Sequence, residues 1–232
     1  MSNKMNKTEG KTILVIKAIV NCILVPIFFG LPIFLPAGSL RFLNAWLFLG
    51  LVFIFFLFIS VYFALKNPVY LNKRLKYEEK EGPQKVIKYL LTLSALTMLV
   101  VSGFDYRFHW SAVPTLIVII FTLVIIGGFI MLFIVMKQNS FASRVVEIQE
   151  NQELIDTGLY SIVRHPMYLS FIIIFCFSPL VLGSFYSLIP VAFIPFLLTF
   201  RISNEEKVLM NGLKGFDLYM KKVKYRLIPF LW

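Results

Sequence analysis

The chain has 232 residues, 59% of them hydrophobic and 15% charged, with Lys+Arg 23 against Asp+Glu 12 and a formal net charge of +11. Mean hydropathy is +0.81. Soluble domains are about half apolar and a quarter charged, so an ordinary soluble fold, a disordered chain and a disulfide-stapled secreted module are all excluded. The positive charge lies between long apolar blocks. It therefore points to membrane topology and anionic headgroups rather than to nucleic acid.

In chain order, the basic start Met1–Lys11 leads into an apolar block too long for a signal peptide and without a small-residue cleavage site. It reads as a first span with Lys17 snorkelling to the interface. Crossing the hydrocarbon takes about 20 apolar residues as helix. The candidate spans are Ile13–Leu35, Phe42–Leu65, Val86–Val101, Val113–Met136, Met167–Leu182 and Ser187–Phe200. The last two are short and joined by Leu182-Gly-Ser-Phe-Tyr-Ser, a turn signal, so they read as a helical hairpin. Pro26, Pro32, Pro179, Pro190 and Pro195 predict kinks, and Gly127-Gly128 predicts close helix contact. Cys22 and Cys176 sit in apolar blocks and read as small hydrophobes; no metal-ligand spacing exists, and no metal is expected.

The expected fold is thus an all-α integral membrane protein of about six transmembrane helices, with a cytoplasmic loop and a C-terminal helix. Lys66–Lys88, the tail from Lys207 to Arg226 and Met1–Lys11 are basic, whereas Ala37–Arg41 and Ser102–Ser111 are short and nearly uncharged. The positive-inside rule places the basic segments, both termini and the Lys137–Pro166 loop in the cytoplasm. Tyr70 and Tyr77 read as interfacial, and Glu78, Glu79 and Glu81 as part of a solvated anchor. His109, on the outer side, reads as an aromatic-belt residue.

His165 differs from His109. It lies in Gly158-Leu-Tyr-Ser-Ile-Val-Arg-His-Pro-Met-Tyr168, ahead of an apolar helix. The residue before proline is driven to extended geometry, and Pro166 suits a first helical position. Arg164 and His165 thus flank a helix N-terminus with free N–H groups, an anion site by construction. The plainer alternative is an interfacial cap with Arg164 on a lipid phosphate. A second cluster, Arg201-Ile-Ser-Asn-Glu205-Glu206, follows the hairpin. Arg201 and Glu205, four apart, share a helix face, and ionisable groups ending an intramembrane segment are costly unless paired or functional. The hairpin returns this cluster to the face where His165 starts it. The pocket so formed suits a ligand with an anionic end, a cationic centre and aromatic area. S-adenosylmethionine has a carboxylate, an ammonium, a sulfonium and an adenine, with glutamate suiting the ammonium and Tyr160 or Tyr168 facing the sulfonium or the ring; a phosphate-bearing ligand fits nearly as well.

Arg164-His-Pro-x-Tyr168, an apolar hairpin and Glu205-Glu206 resemble the isoprenylcysteine carboxyl methyltransferases and phospholipid N-methyltransferases of membranes. The resemblance covers roughly 139–232 and divides the chain into N-terminal transmembrane helices, 1–136, and a methyltransferase core, 137–232. It implies an S-adenosylmethionine site built from Gln152, Leu154, Ile155, Gly158, Tyr160, Arg164, His165, Pro166, Met167, Tyr168 and Glu205, open sideways to a lipophilic acceptor. Gln149 is a weaker match because the loop length differs. The implied catalytic residues are Arg201, aiming an anionic acceptor, with Glu205 or Glu206 as base if the acceptor is an amine. The tail Tyr219–Pro229 resembles the family's closing segment and physically reads as a basic stretch on anionic lipid. Membrane sterol reductases share a similar motif, but theirs continues into Gly-Glu, whereas this chain continues Leu169-Ser-Phe. A transporter or a non-enzymatic regulatory protein are the remaining alternatives; no inverted repeat supports the former.

Overall fold

The computed structural model describes residues 24–76, 82–141, 148 and 152–232. Lys17, Cys22, Tyr77, Glu78, Glu79, Glu81 and Gln149 lie outside the described residues.

Among the described residues the fold is entirely helical, as expected for backbone that must satisfy its own hydrogen bonds in lipid. Helix α1 covers Leu24–Ala37. It is followed by α2 (Leu43–Lys66), α3 (Pro68–Lys76), α4 (Gly82–Phe108), α5 (Thr115–Gln138), a 3-10 turn at Gly158–Ser161, α6 (Pro166–Leu182), α7 (Leu188–Val191), α8 (Phe193–Gly212) and α9 (Phe216–Lys222). Four stretches are long and apolar enough to cross a membrane: α2, α4, α5 and the α7–α8 segment Leu188–Gly212. At a 1.5 Å rise, a 24-residue helix such as α2 or α5 spans about 36 Å against a hydrocarbon thickness of about 30 Å. The 17-residue α6 reaches only about 25 Å. Four helices therefore meet the length of a span, while α1 as described and α6 are shorter.

Several expected boundaries move. The segment 66–85 is not a plain solvated loop: it contains α3 and the first turn of α4. Tyr70, expected at the interface, is buried at 3% exposure, with its ring 4.8 Å from that of Phe63. The connection expected at 102–111 is shorter, because α4 continues to Phe108. The second arm of the hairpin does not end at Phe200; α8 continues three turns further, to Gly212. That extension carries Arg201, Glu205 and Glu206 as helical residues, so their spacing becomes a set of directions.

The helices are held close where side chains vanish. A Cβ on Gly128 would lie 2.9 Å from Ile173 Cγ2, and α5 packs along α6 there. Its neighbour Gly127, expected to share that role, faces open space. A Cβ on Gly103 would lie 2.4 Å from the Ile33 carbonyl oxygen, so α1 crosses α4 almost backbone to backbone. Pro195 has no N–H to give the Val191 carbonyl, which instead receives Cys176 Sγ at 3.7 Å.

At the end of the bundle away from the Arg–His–Pro corner, the hairpin turn is pinned by a buried carboxylate. Asp105 accepts from Ser111 N at 2.7 Å, from Ser111 Oγ at 2.6 Å, and from Ser184 Oγ. Ser187 Oγ donates to Ser184 Oγ at 2.9 Å and lies 2.7 Å from Ser102 Oγ. This relay ties α4 to the turn between α6 and α7, and so sets where both arms of the hairpin point at the other end.

Candidate active site

The corner that opens α6 forms as the sequence predicts. His165 caps the helix, Pro166 takes its first position, and Tyr168 follows two residues further on. The backbone N–H groups of Arg164 and His165 do not remain open: they donate to the carbonyls of Tyr225 at 2.9 Å and Arg226 at 2.8 Å. The C-terminal segment is thus stitched onto the corner, and Leu227 is buried. The basic side chains Lys221, Lys222 and Lys224 of the same tail remain exposed.

The expected anion site beside α6 is corrected, because the protein supplies the anion itself. Glu206, 4% exposed, accepts from Arg164 Nε at 2.7 Å and has His165 Nε2 at 3.2 Å on the same oxygen. Its second oxygen accepts from Arg226 Nε at 2.8 Å. Arg164 Nη1 further donates to the carbonyls of Val223 at 2.7 Å and Lys224 at 2.9 Å. One carboxylate from α8 therefore binds the loop, the start of α6 and the tail. Charge-assisted bonds of this length are the strong kind.

Glu205 points differently. Its Oε2 accepts from the Tyr168 hydroxyl at 2.6 Å. The same phenol oxygen accepts from Arg201 Nε at 3.0 Å. Arg201 Nη1 in turn donates to Gln84 Oε1 on α4 at 3.1 Å. A line of four side chains, Glu205–Tyr168–Arg201–Gln84, so runs from α8 to α6, back to α8 and on to α4.

Glu205 and Tyr168 border a cleft that is open to the surroundings. Of the residues expected to hold a cofactor, Gln152, Leu154, Ile155, Tyr160, Arg164, His165, Met167, Tyr168 and Glu205 line it. Gly158 and Pro166 do not line it but shape the backbone that does. Gly158 has φ +59, and a Cβ there would collide with the Gln138 amide, whose oxygen accepts from Leu159 N at 3.3 Å. Arg201 and Glu206 are not lining residues: Arg201 lies behind the Tyr168 phenol, and Glu206 is turned into the corner. Glu206, with both oxygens engaged, is a strut and not an available base.

Sequence reasoning missed Asn139, Glu153, Leu209, Leu213 and Phe216 on the walls, and Gln84 behind them. Asn139 had a signal, as the polar residue that ends α5; its Nδ2 donates to the Tyr160 hydroxyl at 3.1 Å. Burial holds the Tyr160 phenol well above its ordinary range, although the Asn139 bond pulls the other way. Tyr219 is raised by burial too, against the pull of Arg164, and donates to the Tyr160 carbonyl at 2.7 Å. Both stay protonated at any physiological pH and serve as fixed posts. Leu209, Leu213 and Phe216 carry no chemical signature; only the turn between α8 and α9 makes them a wall.

An all-helical bundle with a polar-and-aromatic cleft at one end of a short hairpin, four of its helical stretches long and apolar enough to cross a membrane, defines an integral-membrane protein. Residues 118–211 match the isoprenylcysteine carboxyl methyltransferase (ICMT) family, and over this stretch the chain is similar to that family. The matched stretch runs from α5 through the hairpin to the end of α8, and so contains His165, Tyr168, Arg201 and Glu205. No curated protein matches the chain.

Proposed function

We propose that the protein transfers a methyl group from S-adenosylmethionine to the carboxylate of a lipophilic, isoprenylcysteine-like acceptor, with the cleft on the cytoplasmic side. The observation that carries the reading is the meeting of Glu205 and Tyr168 on the cleft wall, 2.6 Å apart, from opposite arms of the hairpin. The cleft residues suit the cofactor. Glu205 and Glu153 offer negative charge to an ammonium and a sulfonium, Tyr168 and Tyr160 offer aromatic faces, and Leu209, Leu213 and Phe216 offer an apolar wall for a purine. The cofactor's carboxylate has no place at the start of α6, where Glu206 already sits.

When bound, the cofactor supplies a methyl carbon on a positive sulfur, which passes in line to the acceptor oxygen while the C–S electron pair stays on sulfur. A carboxylate acceptor is already an anion, so no residue need remove a proton. The protein's part is then to position and to exclude water. Arg201 draws the acceptor's negative end toward Tyr168, and the Tyr168 hydroxyl keeps Glu205 and Arg201 from pairing directly. An amine acceptor, as in phospholipid N-methylation, would need Glu205 as base.

The test is transfer of label from methyl-tritiated S-adenosylmethionine by protein in lipid nanodiscs, with N-acetyl-S-farnesylcysteine or phosphatidylethanolamine as acceptor. Base-labile counts in the farnesylcysteine product are expected, and Glu205→Gln should weaken S-adenosylhomocysteine binding about tenfold, the worth of one charge-assisted contact. Label appearing only in phosphatidylethanolamine would move the reading to N-methylation. No label in either, with no S-adenosylhomocysteine binding, would end it.

A further inference from the structure

Gln84 is fully buried at 0% exposure, one turn into α4. Its orientation is not arbitrary. Arg201 Nη1 is a donor with no acceptor capacity, so the amide must present its oxygen to Arg201, 3.1 Å away. The amide nitrogen then points away from Arg201, and it is buried without a hydrogen-bond partner among the described residues. A buried donor left unpaired is costly. An apolar side chain of the same length would avoid that cost, so the amide calls for an acceptor that the described residues do not supply.

We propose that Gln84 is the second donor for the acceptor's anionic group, a specificity residue that works beside Arg201. This rests on the methyl-transfer reading above and deepens it. The Arg201 guanidinium joins Gln84 to the cleft wall, since its Nη1 donates to Gln84 Oε1 and its Nε to the hydroxyl of Tyr168, which lines the cleft. A carboxylate that reaches both the amide nitrogen and the guanidinium satisfies the orphan donor and is held beside Tyr168. The flanking residues suit a ligand that arrives through lipid: Val86, two residues beyond Gln84, is 57% exposed, and Phe200, next to Arg201, is 52% exposed. Gln84 also lies outside the stretch that matches the family, 118–211. The N-terminal helices therefore contribute to acceptor choice while the hairpin holds the shared machinery.

The experiment is calorimetric titration of the full chain, in detergent micelles saturated with S-adenosylhomocysteine. The ligands are N-acetyl-S-farnesylcysteine and its decarboxylated analogue, N-acetyl-S-farnesylcysteamine. Gln84→Met should weaken binding of the acid about tenfold, leave the cysteamine within twofold, and leave S-adenosylhomocysteine affinity unchanged. Gln84→Glu should weaken the acid further, since it sets a carboxylate against a carboxylate. Equal affinity of wild type and Gln84→Met for the acid overturns the proposal and leaves the methyltransferase reading standing. A wild type that neither binds nor methylates the acid overturns both. Should Gln84→Met lose S-adenosylhomocysteine binding, Gln84→Asn carries the same comparison with a shorter amide: a selective loss for the acid supports the role, and parallel losses for acid and cysteamine refute it.

Discussion

The Glu206 carboxylate offers the sharpest test of how the corner is held. Glu206→Gln keeps the volume, removes the charge, and replaces one oxygen by an NH2 group. Whichever way the new amide turns, its nitrogen faces a donor: Arg226 Nε on one side, or Arg164 Nε and His165 Nε2 on the other. The Arg164 side chain is 6% exposed and cannot recover its lost partner from water, whereas Arg226, at 33%, can in part. Removing one member of a buried pair costs about 3–5 kcal/mol, and the partial exposure of Arg226 places the expectation near the lower end, about 3 kcal/mol. For a chain of this size each kcal/mol shifts the melting temperature by about 2–4 °C, so a fall of about 6–12 °C is expected. Intrinsic tryptophan fluorescence during heating in micelles reads it, because Trp232 lies with its ring 5.1 Å from the Arg226 guanidinium carbon. In the Glu206→Gln background a further Arg226→Gln should cost little, since the two act as one network. A variant that melts within a degree of wild type, keeps its S-adenosylhomocysteine affinity and loses only turnover would show that Glu206 is a base after all, and the strut argument would be wrong.

Two other predictions concern packing and charge. Gly103→Ala drives a methyl group into the Ile33 carbonyl and Pro36, at 2.4 and 2.6 Å. It should cost about 1–3 kcal/mol of overpacking, while Gly127→Ala, with nothing within 4 Å, should melt with the wild type; equal melting of the two would deny the close crossing of α1 and α4. Asp156 is hydrogen-bonded at 2.8 Å by Lys222, which holds its carboxyl below the ordinary range. A depressed folded pKa means that any stabilisation exists above the ordinary value of about 4 and fades as pH falls through the folded one. Because the pair is exposed, Asp156→Asn should move the melting temperature by less than about 2 °C at pH 7 and by nothing measurable at high salt or near pH 3; a larger neutral-pH shift would mean the pair ties the loop to α9 more firmly than its exposure allows.

Much of this protein is legible in one dimension, because lipid leaves few options. Apolar runs without water to satisfy their backbone must be helices, so the all-α fold and the approximate positions of α2, α4, α5 and the hairpin follow from composition and spacing alone. Arg164-His-Pro-x-Tyr168 announces its own helix start, since proline dictates the geometry on both sides of itself. Which way each side chain faces does not follow from spacing. Glu205 and Glu206 are adjacent letters, yet successive residues on a helix point about 100° apart. One reaches the cleft and the other is absorbed by Arg164, His165 and Arg226. That outcome depends on the length of α8 and on where the tail returns, both of which are products of packing. Gln84 is the clearest case: nothing near it in the chain marks it, and its meaning arises only because α4 is pinned to the hairpin through Asp105 at one end and so brought against Arg201 at the other.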